Sequence, residues 1–218
     1  MPSFAEILKP ERLNRYIDII QEQNARTVRL DGWFLAREIM MERHRELPAD
    51  TPPAVRQAEL LAAVCERLPL KIRHGEIFAG TEDDAFARSY ALINPAFKIE
   101  SFEGYCDEDA VYNDIEPDGI ITTERIETVR RFWAEQPFAK AISAVYENTG
   151  AETCEVVYFV ERVTGHTIPD FADALKRGMD ELLVEIDEKK HRTPGRADYF
   201  AAMHTALEAA VTLSERYA

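Results

Sequence analysis

Apolar residues along this chain recur mostly three and four positions apart, the spacing of a helix with one buried face. In "PERLNRYIDIIQEQNA", Leu13, Tyr16, Ile17 and Ile20 share a face, with Pro10 suited to a first turn. "WFLAREIMMERHREL" repeats the pattern and stops at Pro48, because proline cannot continue a helix. "TPPAVRQAELLAAVCERL" opens with Thr51 as a candidate N-cap, carries prolines in its first turn, and ends at Pro69. Three helices with short connections therefore form an N-terminal helical layer.

The period then changes. "LKIRHGEIFAGTEDD" reads as a short strand over Glu76–Ala79, bracketed by Gly75 and Gly80. From Asp83 to Asp118 the chain is aromatic, acidic and turn-rich, and a long irregular stretch of this kind wraps over something or builds part of a site. Helical spacing resumes at "TTERIETVRRFWAEQ", where Thr122 or Thr123 can cap, and continues through "PFAKAISAVYENTG" to Gly150. "TCEVVYFVERV" fits either a buried strand or an apolar helix. Two long helices close the chain. "IPDFADALKRGMDELLVEIDEKK" has Pro169 in its first turn; "RADYFAAMHTALEAAVTLSERYA" aligns Tyr199, Met203, Leu207, Ala210 and Leu213. That last helix runs to Ala218 without Gly, Asn or Pro, so it reads as cut short or completed by something else. With no repeat and no clean linker, residues 1–218 read as a single unit, mainly α with one or two short β-strands.

Composition narrows the function classes. The 218 residues are 46% hydrophobic and 30% charged, ordinary for a globular protein, and the net charge is −14. That balance disfavours nucleic acid and anionic membrane as partners, since both need a basic face. No segment has the length of a membrane span and no secretory signal opens the chain, which points to the cytoplasm. The three cysteines are isolated and the five histidines form no ligand pair, so no metal site is expected. Acidic residues in "EGYCDEDAVYNDIEPDG" do not follow the order of an EF-hand loop and read as solvated surface.

Four stretches carry a resemblance: "RLPLKIRHGEIFAGTEDD", "FEGYCDEDAVYNDIEPDGIITTERIETV", "VTGHTIPDFADALKRGMDELL" and "YFAAMHTALEAAVTLSERYA". In order and spacing they resemble the N-terminal region of glycyl radical enzymes, the pyruvate formate-lyase-like superfamily, and most nearly its decarboxylase and dehydratase branches. The resemblance implies the first part of a ten-stranded α/β barrel with its helical wrapping. It implies a lyase whose glycyl radical is installed by an activating enzyme using S-adenosylmethionine and an iron–sulfur cluster. The radical passes to a cysteine, whose thiyl takes hydrogen from a small substrate before C–C, C–O or C–N cleavage.

"RVTG" at Arg162–Gly165 is a decoy for the radical loop. The family's loop reads R-V-x-G-Y near the C-terminus, whereas Gly165 is followed by His166. The family's cysteine follows glycine in G-C-x-E, whereas Cys154 follows Thr153. The sequence contains neither motif, so it is expected to be inactive alone and to carry no cofactor. By resemblance, His166 lines the substrate pocket, and Tyr158, eight positions earlier, is its second wall residue. An imidazole and a phenol can fix a polar group inside an apolar pocket. The bland alternatives are His166 capping backbone groups before Pro169, and Tyr158 packing in a core. The expected partners are the remainder of the barrel or a larger subunit, the activating enzyme, and a second copy of the chain through exposed apolar surface. The competing reading is a stand-alone helical interaction module or small subunit derived from the family.

Overall fold

The computed structural model describes residues 31–70, 115, 117–137 and 171–218, with isolated helical positions at 11, 14, 15, 17, 18, 21, 140, 141 and 144. Within these, the long elements are five α-helices: α1 (Asp31–Glu46), α2 (Pro53–Arg67), α3 (Thr123–Ala134), α4 (Phe171–Arg192) and α5 (Ala197–Tyr217). No strand occurs among the described residues. The strand expected over Glu76–Ala79 lies outside them, as do Pro169 and "TCEVVYFVERV". Among the described residues no helix is long and apolar enough to cross a membrane.

The helices pack in a row, α3 on α1, α1 on α2, α2 on α5 and α5 on α4. α1 is the most enclosed of them. Phe34, Ala36, Arg37, Ile39, Met40 and Met41 are all buried, so more than one face is covered. Around it gather Leu60, Val64 and Leu68 from α2 and its end, and Ile126, Val129 and Trp133 from α3. Burying a leucine or phenylalanine of this kind contributes about 1.5–3 kcal/mol each. Trp133 also donates its indole Nε1–H to the Arg37 carbonyl at 3.2 Å, which fixes α3 against α1. At the rim Arg125 grips Glu38 with two nitrogens, Nε at 2.9 Å, and so ties the same helices through a planar fork.

The turn between α1 and α2 departs from the expected cap. Thr51 does not cap α2; its hydroxyl donates to the Pro48 carbonyl at 2.7 Å, closing the turn, and Pro52 is the N-cap residue. Proline at the first helical position has no N–H, so one of the donors a threonine would satisfy is absent. Arg56 also donates to the Pro48 carbonyl, at 2.6 Å, and so braces the turn. α3 follows expectation: the Thr122 hydroxyl accepts from the Arg125 amide at 3.3 Å. Asp118 prepares that start, its Oδ1 accepting from the amides of Ile120 and Ile121 at 2.6 and 2.7 Å.

One feature of the last hairpin overturns the pattern reading, and a second lies outside it. α4 is not one helix: Gly178 has φ 78° and ψ 166°, a conformation open essentially to glycine alone, and the helix breaks there. Nor is the apolar stripe of α5 its most buried line. Tyr199 is 55% exposed and Met203 38%, while Ala202 and Ala209 are buried. Ala202, Ala209 and Arg216 recur every seven residues on one side of α5. Arg216 reaches the end of α2, donating to the carbonyls of Cys65 and Leu68 at 2.5 and 2.7 Å. Small residues on that line allow α5 to approach α2 closely, and this tight contact outweighs the larger side chains on the neighbouring face.

Candidate functional site

Between α4 and α5 lies an apolar groove of about 710 Å³. Leu182 and Ile186 form one wall; Tyr199, Phe200, Met203, Ala206 and Leu207 form the other. The hairpin arises locally. Basic residues Lys189, Lys190, His191 and Arg192 crowd the last turn of α4, where they complement the helix dipole. Pro194 then opens a short 3-10 turn, Pro194–Arg196, and α5 begins at once. Tyr199 and Phe200 meet edge to face at 5.8 Å between ring centres, so the bulk of the wall sits near the hairpin turn.

Charge at the groove's rim is neutralised within the hairpin. Arg177 donates to Asp173 at 3.1 Å, to Glu181 at 2.8 Å and to Glu185 at 2.5 Å, and Lys189 also pairs with Glu185. Lys189 and then Arg177 hold the Glu185 carboxyl down at about 2, and the same carboxylates, Glu185 first, raise the Arg177 guanidinium above its ordinary value. His204 lies 3.5 Å from Asp187 across the hairpin and 3.1 Å from Glu208 on its own helix. The spacing Asp173, Arg177, Glu181, Glu185 is a four-residue ladder visible in the sequence, and charge patterning alone would have found it.

Away from the groove, Cys65 and His44 are described, and burial disfavours the charged form of both. Burial pushes the Cys65 thiol up, with Arg216 opposing, so thiolate is disfavoured and the sulfur packs as a small apolar group. His44 stands edge-on to Phe132 and Trp133, at 5.3 and 6.0 Å between ring centres. Burial, then the charge of Arg56, lowers its pKa below 6.5. Among the described residues no three His, Cys, Asp or Glu side chains are grouped to hold a metal ion.

His166 and Tyr158 lie outside the described residues, as do Gly165 and Cys154. The groove belongs to the segment that follows His166 in the chain; of its lining, Tyr199, Met203 and Leu207 stand in the sequence's α5 stripe, while Leu182, Ile186, Phe200 and Ala206 do not.

Among the described residues, then, the arrangement is a row of packed helices ending in a hairpin with an apolar groove. The model of the pyruvate formate lyase-like family matches residues 9–218, nearly the whole sequence. The chain belongs to that family, and is thereby related to the glycyl radical enzymes. No curated protein and no solved structure matches it.

Proposed function

We propose that this chain is the N-terminal segment of a glycyl radical lyase, contributing one wall of the substrate pocket through His166 and Tyr158. The observation that carries the reading is the family match across residues 9–218, which includes both residues, in a sequence without G-C-x-E or R-V-x-G-Y. The radical-bearing glycine and the thiyl cysteine would come from the remainder of the barrel, on this chain's continuation or on a larger subunit. The activating enzyme, with S-adenosylmethionine, acts on that remainder. In the barrel, His166 and Tyr158 hold a polar group of a small substrate while hydrogen passes to the thiyl. In form the sequence resembles the decarboxylase and dehydratase branches.

The test is reconstitution. The chain is combined with a polypeptide carrying the two missing motifs, an activating enzyme and S-adenosylmethionine, and electron paramagnetic resonance is recorded beside product analysis. The expected result is a glycyl doublet that His166→Ala leaves intact while substrate turnover falls. A doublet abolished by Gly165→Ala would reject the assignment of that glycine as scaffold, and turnover unaffected by His166→Ala would reject the pocket role.

A second reading, a stand-alone helical interaction module, draws on the open groove between α4 and α5, where Tyr199 and Met203 remain exposed. It predicts tight binding to a folded partner with no radical formed in any combination.

A further inference from the structure

The break in α4 is not explained by its sequence on either side. From Phe171 to Arg192 there is no proline, and the residues flanking Gly178, "ALKR" and "MDELL", are good helix formers apart from Asp180. A continuous helix is therefore available to this segment. Little opposes it in the surroundings: Gly178, Met179 and Asp180 are exposed, Leu175 is 86% exposed, and a Cβ added at Gly178 would meet nothing within 4 Å. The helical bonds of the Met179, Asp180 and Glu181 amides would span Gly178, and all three residues are exposed, so water can serve those amides in the broken form.

One contact distinguishes the two forms. Asp173 and Glu181 stand four residues from Arg177 and are within its reach in any helix. Glu185 stands two turns away, about 12 Å along the axis of a continuous helix, yet it meets the Arg177 guanidinium at 2.5 Å. The two meet in the broken form. A group that interacts with only one of two conformations biases the equilibrium towards that one.

We propose that Gly178 is a hinge and the Arg177–Glu185 pair its latch, so that α4 exchanges between the broken form and one continuous helix. The latch favours the broken form, and straightening opens it while Arg177 keeps Asp173 and Glu181. The chain preceding Gly178 carries Tyr158 and His166, so the hinge would set how that segment joins the α4–α5 hairpin. This last consequence rests on the pocket reading above; the hinge does not.

Amide hydrogen exchange read by mass spectrometry over residues 175–184 tests the hinge without substrate or radical. In the wild type the amides of Met179–Glu181 should exchange close to the unprotected rate. Gly178→Ala, which disfavours the broken backbone and favours helix, should slow them at least tenfold, while α1 and α2 keep their protection. Glu185→Gln, and high salt on the wild type, should slow them several-fold by releasing the latch. The proposal fails if the wild-type amides are already protected, or if Gly178→Ala leaves them fast. It also fails if Gly178→Ala removes protection throughout the chain, which would make the break an obligatory part of the fold. If Gly178→Ala slows exchange but Glu185→Gln does not, Glu185 is not the latch and that half of the proposal falls. Failure of the reconstitution experiment would leave all these outcomes readable.

Discussion

Replacing Arg216 with alanine should loosen the joint between the N-terminal helices and the C-terminal hairpin. Its guanidinium donates to the Cys65 and Leu68 carbonyls, acceptors that the end of α2 cannot satisfy internally. A hydrogen bond with a charged partner is worth about 1.5–3 kcal/mol when protected. Arg216 is exposed, and water would re-solvate the freed carbonyls, so the discounted expectation for both bonds together is about 1–2 kcal/mol. For a chain of this size that lowers Tm by about 2–8 °C, at roughly 2–4 °C per kcal/mol. Arg216→Lys keeps the favourable charge at the helix end but cannot fork to two carbonyls, and should recover about half of the loss. Arg192→Ala is the control. It removes only the exposed pair with Glu188 at 3.0 Å and should cost less than about 0.5 kcal/mol. Urea unfolding of the three variants measures the differences. If Arg216→Ala proves no more costly than Arg192→Ala, the joint is held by Ala202 and Ala209 packing alone and the reasoning is refuted.

Other perturbations probe the core and its pH response. Leu60→Ala empties a site only 2% exposed and should cost about 2–5 kcal/mol by urea unfolding. Thr122→Ala removes the one side-chain cap of α3 and should cost about 1 kcal/mol, with α3 amides exchanging faster near Arg125. His44 has a lowered pKa, so between 6.5 and its folded value the unfolded chain binds a proton that the folded chain does not. Stability should therefore decline as pH falls through 6.5, and His44→Gln should flatten that decline. Glu185 runs by the same logic lower down: its pairs persist until the pH approaches about 2, so their contribution, full above 4.5, fades between those values.

Much of the helical layer was legible without coordinates. Pro48 and Pro69 mark ends because proline cannot continue a helix, and Thr122 caps because its hydroxyl reaches the third amide beyond it. These are local effects, settled within a few residues. Thr51 shows the limit of such rules, since its hydroxyl closes the turn by donating to the Pro48 carbonyl and the prolines removed a donor it would have capped. The pocket residues His166 and Tyr158 rest on resemblance, and lie outside the described residues.

Sequence by itself determined that this chain makes amphipathic helices, where several of them stop, and to which family their order belongs. Tertiary structure decided which face of each helix became the inner one. In α5 the larger stripe of Tyr199 and Met203 stayed partly open while Ala202 and Ala209 were enclosed, because close approach to α2 depends on side-chain size across two helices. In α4 the break at Gly178 uses backbone freedom that a helix pattern does not register, and there Arg177 meets Glu185, eight residues along the chain. Periodicity reports what a segment can bury; its partner determines what it does bury.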